Sequence, residues 1–462
     1  TTTTAAALDP TRLIIAALAG LVILLLLIIK FKVQAMISIL VGAVAIGLIA
    51  GMPFTDIISS VNEGIGSTLK GIALLVGLGS MFGSILEISG GAQTLAVTMV
   101  KKFGDKKAAW ALGITGLVIA MPVFFDAGLI ILIPLAFSLA KRTKRSSLFY
   151  AIPLLAGLAV THTFIPPTPG PVAVADMLGA DLGWVILVGA IIGLPVAIIA
   201  GPLFGKYIGN KIYVAPPPHV MEELEKGDRA DEAHSLPSFG MVSAIIGIPL
   251  FLMVIKSMVE LFIKLGYMGK GIFYEVTSFL GHPFTALILA TLIAAWLLGT
   301  RRGYTRKELL DISTKALAPA GMIILIIGSG GAFKQMLIDS GVGDVLAQLI
   351  SKTQFPPIIL AFIIAAAVRI ILGSATVSMI TAAGIVGPIL SAYSLSDMHC
   401  ALIVISIASG ATILSHVNDS GFWLVGKYLG LTEVQTLKSW TVMETIIALG
   451  GFGLALVLSL FV

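Results

Sequence analysis

A few polar side chains in this sequence stand among apolar neighbours, and their types suit the handling of protons and small anions. Asp126 follows Met121-Pro122-Val123-Phe124-Phe125, and Asp419 ends the polar stretch Ser415-His416-Val417-Asn418. A carboxyl in such surroundings can take up and release a proton, because partial desolvation favours the neutral acid. His162 and His416 recur in matching contexts, Thr161-His162 and Ser415-His416, and add two imidazoles that titrate near neutral pH. Asp126, Asp419, His162 and His416 are therefore the proton-coupling candidates, although either aspartate would serve equally as a helix cap or a brace. Arg369 lies four residues before Gly373-Ser374-Ala375-Thr376 in an apolar arm, where a charge costs about 2.5–3.5 kcal/mol on insertion scales. It either clamps a substrate carboxylate, which suits a planar guanidinium, or pairs internally with a buried acid such as Asp419. Thr161, Thr163, Thr168, Ser374, Thr376, Ser378, Asn418 and Ser420 can hydrogen-bond a polyhydroxylated anion, and Ser and Thr also cap broken helices. Phe125, Gly373 and Ala375 complete the candidate substrate set.

The elements that position these residues must be membrane helices. Of 462 residues, 57% are hydrophobic and 11% charged, and the mean hydropathy is +1.05, values that no water-exposed surface tolerates. Apolar runs recur at Leu13–Ile29, Val33–Gly51, Gly71–Ile88, Trp184–Phe204, Phe239–Ile255, Pro283–Gly299 and Thr441–Val462, each near the length that crosses about 30 Å of hydrocarbon. The first run lacks an Ala-x-Ala site and a second follows at once, so it is expected to be retained as a span. The single cysteine, Cys400, excludes an internal disulfide and a Cys-based zinc site. Glu87, Lys334 and Asp339 lie near span ends, where snorkelling is expected.

The net charge of +5 gathers in short clusters: Lys101, Lys102, Lys106 and Lys107; Lys141, Arg142, Lys144 and Arg145; Arg301, Arg302, Arg306 and Lys307. They flank spans without aromatic interleaving, which argues against nucleic acid and marks the cytoplasmic side. Counting crossings outward puts both termini, the Asp176–Asp181 turn and the Lys256–His282 stretch outside. The polar Pro216–Pro237 segment, with Glu222, Glu223, Glu225, Asp228, Asp231 and Glu232, then falls inside as a solvated joint.

Self-comparison reveals a repeat. Phe54-Thr55 recurs as Tyr304-Thr305, Gly79-Ser80 as Gly328-Ser329, Ser89-Gly90 as Ser340-Gly341, Pro134 as Pro388 and Thr161-His162 as Ser415-His416, all at offsets of 249 to 254. Five crossings separate Arg145 from Lys352, an odd number, so the copies are inverted. The chain thus divides into a first inverted repeat over 1–207, a cytoplasmic linker over 208–238 and a second repeat over 239–462. Each copy holds two irregularities. Residues 108–140, basic at both ends, are too short for two spans and a turn, and predict a re-entrant hairpin with its tip at Met121–Gly128; 357–391 is its counterpart, with its tip at Gly373–Ser378. Residues 147–182 and 399–428 predict broken helices, the first interrupted by the proline-rich stretch from Thr161 to Pro171 and the second by the polar stretch from Ser415 to Gly421. Unwound backbone at membrane depth survives only inside protein or along a wet cavity, and the helix N-termini beside it attract anions. The expected fold is an all-α polytopic membrane protein of two inverted repeats, each with a re-entrant hairpin and a broken helix.

The chain resembles the gluconate permease (GntP) family within the ion transporter superfamily over nearly its whole length. The likeness rests on Ser89-Gly90-Gly91-Ala92-Gln93, Pro122-Val123-Phe124-Phe125-Asp126, Thr161-His162 with Pro166-Pro167 and Pro169-Gly170-Pro171, Ala200-Gly201-Pro202-Leu203-Phe204, Leu372-Gly373-Ser374-Ala375-Thr376 and Ser415-His416-Val417-Asn418-Asp419. It implies uptake of gluconate or a related small carboxylate with protons across a bacterial inner membrane, a homodimer, an elevator movement and no cofactor. Many members read Pro-Pro-His-Pro where this chain has Thr168, which leaves idonate, fructuronate, glycerate and D-serine as alternatives. A nucleotide-driven pump is excluded because the one approach to a phosphate loop, Gly421 to Tyr428, ends in Tyr. An intramembrane hydrolase or acyltransferase using His416, Asp419 and a serine is the remote alternative, without Gly-x-Ser-x-Gly or His-Glu-x-x-His and with no need for two inverted breaks.

Overall fold

The computed structural model describes residues 10–217, 236–345, 356–390, 393 and 395–462. Most of the expected cytoplasmic linker, with its acidic residues, lies outside the described residues, as do Lys352 and Ser391. Among the described residues the regular structure is entirely helical, and eight helices are long and apolar enough to cross a membrane.

The first series comprises α1 (Pro10–Ile29), α2 (Ala35–Ala50), α3 (Phe54–Ile88), α4 (Gly91–Phe103), α5 (Ala108–Ile119), α6 (Phe125–Thr143), α7 (Leu148–Phe164), α8 (Pro169–Leu178), α9 (Leu182–Ile198) and α10 (Phe204–Lys211). A π-helical turn, Ile199–Leu203, joins α9 to α10. The second comprises α11 (Phe239–Lys264), α12 (Ile272–Leu280), α13 (Pro283–Ala294), α14 (Arg306–Asp339), α15 (Pro357–Leu372), α16 (Ala375–Leu390), α17 (Asp397–Gly410), α18 (Ser420–Leu429), α19 (Glu433–Thr436) and α20 (Val442–Ser459). A second π turn, Ala295–Gly299, follows α13, and a third, Leu437–Thr441, leads into α20.

Local sequence explains where these helices start and stop. The Thr305 hydroxyl and the Glu308 carboxylate form a capping box at the start of α14. Asp181, Ser238, Ser396 and Asp419 cap α9, α11, α17 and α18. α8 begins with Pro169, a residue already set for a first helical turn, and stops at Gly179 in the left-handed region.

Both irregularities occur twice, in the same order. α5 and α6 are the arms of one hairpin, turning at Ala120–Phe124, and α15 and α16 are the arms of the other, turning at Gly373-Ser374. The first broken helix is narrower in its break than expected, because α7 stays helical through Phe164 and only Ile165–Thr168 unwinds. Pro166 and Pro167 interrupt the ladder, whereas Pro169 and Pro171 fall in the first turn of α8, where no intrahelical N–H donor is needed. In the second, residues 411–419 separate α17 from α18.

Two spans are longer than their apolar runs. Gly71–Ile88 is the second half of α3, 35 residues in one helix, and Ala316–Phe333 lies inside α14, which has 34. Their polar beginnings stay helical because α3 and α14 pack on each other along their length. Small residues make this possible: a Cβ at Gly331 would stand 2.4 Å from the Gly64 carbonyl oxygen. Lys334 does not snorkel. Its Nζ donates to the carbonyl of Met177 at 2.6 Å, tying α14 to the broken helix.

α7 and α8 form the centre of the molecule, almost wholly buried, whereas α1 exposes Ile15, Leu18, Val22 and Leu26. The hairpin arm α5 lies against α7 at backbone contact. A Cβ at Gly116 would stand 2.4 Å from the Leu154 oxygen, and one at Gly157 would stand 2.2 Å from the Gly113 oxygen. Gly116→Ala should therefore lower the unfolding temperature of the detergent-solubilised protein, with an overpacking cost of roughly 1–3 kcal/mol. Gly66→Ala, where an added Cβ meets nothing within 4 Å, should not lower it.

Candidate functional site

The turn of the second hairpin is fixed by what surrounds it. Gly373 has φ +81°, and a Cβ there would lie 2.2 Å from the Asn418 carbonyl oxygen, so the turn is pressed directly on the break between α17 and α18. From the break, the Asn418 side-chain amide donates to the carbonyls of Ile370 (2.9 Å) and Ile371 (3.3 Å), and His416 Nε2 bonds the Ile370 carbonyl at 3.2 Å. From the hairpin, Arg369 reaches back: its Nη1 donates to the Gly373 carbonyl and its Nη2 to Asp419 Oδ2 at 2.6 Å. Both partners are buried, with side-chain exposures of 2% and 10%.

Asp419 collects further donors. Ser415 Oγ donates to the same Oδ2 at 2.5 Å, and the Gly421 amide donates to Oδ1 at 3.0 Å. Trp440 Nε1 donates to Ser415 Oγ at 2.7 Å, and the Thr441 hydroxyl donates to the Ser415 carbonyl. One network thus joins the second hairpin, the second break and the π turn before α20.

Beside it opens a cavity of about 180 Å³. The first hairpin supplies Phe125 and Asp126, and α7 supplies Ala159, His162 and Thr163; the second hairpin supplies Arg369, Ser374, Ala375 and Thr376. The second break and the start of α18 supply Asp419, Ser420 and Gly421, the π turn Leu437–Thr441 supplies Trp440, and α20 supplies Glu444. The N-termini of α6, α16 and α18 all reach this space, each with first-turn N–H groups that have no intrahelical acceptor. Arg369 is the one cation lining it among the described residues, and its Nε–H is buried without an acceptor. Phe125 packs between His162 and Trp440, with ring centroids 6.5 and 5.4 Å away.

Of the residues expected from the sequence, the cavity gathers Phe125, Asp126, His162, Thr163, Arg369, Ser374, Ala375, Thr376, Asp419 and Ser420. The others stand outside its lining and hold backbone. Thr161 Oγ1 donates to the Leu117 carbonyl at 2.8 Å, binding α7 to the first hairpin. Thr168 Oγ1 donates to the Ile165 carbonyl at 2.7 Å within the first break, and Ser378 Oγ donates to the Ser374 carbonyl at 2.6 Å. Gly373, His416 and Asn418 belong to the clasp between hairpin and break. The two histidines, matched in sequence, therefore occupy different environments: His162 faces the cavity with a buried, unpartnered Nδ1, and His416 braces the second tip.

Sequence reasoning missed Ala159, Gly421, Trp440 and Glu444. Glu444 had a legible signal, a carboxyl inside the apolar run Thr441–Val462, where charge is costly. The other three carry no such mark.

A family model described as GntP family permease matches residues 12–461. The chain belongs to that family. This GntP permease is 42% identical over 452 residues to a gluconate permease of Bacillus subtilis (strain 168), covering 97% of this chain and 100% of that one. It is 41% identical over 440 residues to a low-affinity gluconate transporter of Escherichia coli (strain K12), covering 95% and 96%. A Gnt-II system L-idonate transporter of the same strain is 40% identical over 438 residues, covering 94% and 96%. The crystal structure of the Alcanivorax borkumensis YdaH transporter, described as having an unusual topology, superposes with a TM-score of 0.59 over 88% of each chain at 16% identity. The likeness to YdaH extends to the fold. The GntP permease is thus a multi-pass membrane transporter of the gluconate permease type, not an enzyme.

Removing one partner of a buried ion pair strands the other. Asp419→Asn should lower the thermal stability of the purified permease by roughly 3–5 kcal/mol, and Arg369→Met combined with Asp419→Asn should recover part of that loss, since no charge is then left unpaired.

Proposed function

We propose that this permease imports gluconate or a closely related small hydroxy-carboxylate together with protons, by an elevator movement of the hairpin-bearing part. The observation that carries the reading is the convergence, on one cavity, of the Arg369 guanidinium, three helix N-termini and the hydroxyls of Ser374, Thr376 and Ser420. A carboxylate fits the first two and a chain of hydroxyls fits the third. Relatives named for gluconate and for L-idonate support the same substrate class.

Proton coupling follows from charge. Inward movement of one negative charge against a negative interior costs about 2.3 kcal/mol per 100 mV, so accumulation needs a cation. The cavity already sets three carboxyls, Asp126, Asp419 and Glu444, against one guanidinium. An arriving anion adds a like charge and favours protonation of a lining carboxyl. An elevator is supported by the grouping of the helices. The hairpins and broken helices pack among themselves, and α1–α3, α13 and α14 form a second group around the long pair α3 and α14. The two series in opposed orientation, a homodimer, and an inner-membrane location with both termini outside belong to the same proposal.

Proteoliposomes test the coupling. An alkaline interior should drive accumulation of labelled gluconate with no requirement for sodium, and unlabelled gluconate inside should drive saturable counterflow; a competition panel of idonate, fructuronate, glycerate and D-serine ranks the substrates. Accumulation that stops on sodium removal and ignores the pH gradient would sink the proton reading.

Orientation has its own check. Cysteines replacing Lys144 and Arg302 should react with an impermeant maleimide only from the cytoplasm, and one replacing Asp181 only from outside. Labelling of Lys144→Cys and Asp181→Cys from one side would remove the opposed repeats.

A further inference from the structure

Glu444 is the one charged side chain of the cavity for which neither the sequence motifs nor the ion-pair network gives a role. It lies one helical turn after Trp440, so both point the same way, and the π turn Leu437–Thr441, pinned through Trp440 and Thr441 to Ser415, sets that direction toward the cavity. π turns of this kind are frequent at functional sites. The carboxyl is 4% exposed, and its Oε1 has no hydrogen-bond partner.

The neighbouring charges leave it unpaired. Arg369 has committed Nη1 to Gly373 and Nη2 to Asp419. Asp419, Asp126 and His162 are the other titratable groups facing the same space, and none of them hydrogen-bonds Glu444. Asp419 already accepts from Arg369, Ser415 and Gly421, bonds that give it a structural task. Asp126 is exposed, in the first turn of α6. Glu444 is the carboxyl that is enclosed, without a donor and beside the space an anion would fill.

We propose that Glu444 holds the proton that travels with the anion, an inference that rests on the proton-symport reading above. A proton from the outer water joins the Glu444 carboxylate as the substrate enters; the neutral acid and the anion cross together, and the proton leaves to inner water after the anion departs. No other bond changes. The two ligands favour each other's binding, because an ionised Glu444 would repel the substrate carboxylate and a bound anion favours the protonated acid.

The test uses the full-length permease in proteoliposomes with labelled gluconate. Under an inward proton gradient the wild type should concentrate label several-fold, whereas Glu444→Gln should exchange label against internal gluconate yet bring the accumulation ratio only to one. If Glu444→Gln still concentrates label, the inference is wrong. If the wild type itself does not concentrate label under the gradient, proton symport fails first and this inference with it. Should Glu444→Gln show no exchange, Glu444→Asp decides: a displaced pH dependence of the gluconate KM supports the assignment, and a pH profile identical to the wild type overturns it.

Discussion

A guanidinium and a carboxylate can be buried together only when their remaining donors and acceptors are also met, and the contact between Arg369 and Asp419 satisfies that condition through parts of the chain distant in sequence. Arg369 comes from a hairpin arm and Asp419 from a break in another helix; Ser415, Gly373 and Gly421 fill the outstanding bonds. The pair fixes the second hairpin turn against the unwound segment, so that the N-termini of α16 and α18 open on one space. Without it, either helix end would be free to turn elsewhere, and the cavity would lose one wall. The same pair also sets what the cavity lacks: its cation already serves Gly373 and Asp419, and carboxyls outnumber it.

The first half of the chain reaches the cavity by different means. Its hairpin is held by close packing of glycines, Gly113 and Gly116 against Gly157, and by the Thr161 hydroxyl on the Leu117 carbonyl. No ion pair among the described residues joins that hairpin to its own broken helix. The two halves therefore share a pattern of elements without sharing its chemistry: the second hairpin is clamped by an ion pair and polar bonds at its turn, the first by close backbone packing and hydroxyl bonds along its arms. His162 and His416 show the consequence, since equal sequence positions lead to a cavity face in one half and a backbone brace in the other.

Lipid leaves little freedom in such a molecule. Each unwound segment must place its carbonyls and amides on protein partners, which is why so many hydroxyls expected to meet a substrate, Thr161, Thr168 and Ser378 among them, bond backbone instead. Polar residues at membrane depth thus form two groups, those that hold the breaks together and those that face the cavity, with Arg369 and Asp419 in both. Periodicity and composition do not distinguish the two groups, because both are small, polar and near prolines or glycines.

The all-helical class, the recurrence of a hairpin and a break, the family and ten of the fourteen residues that line the cavity were legible in the sequence. These follow from local causes: apolar length, proline and glycine positions, and charges too costly to stand in lipid without a reason. It also narrowed Arg369 to two partners, a substrate or Asp419. Tertiary structure alone decided that Asp419 takes Nη2 while Nε stays free, that α3 and α14 continue well beyond their apolar runs, and that Trp440 and Glu444 complete the cavity wall. Those outcomes depend on which backbone carbonyls and side chains from remote segments come within hydrogen-bonding distance, and spacing along the chain carries no record of that.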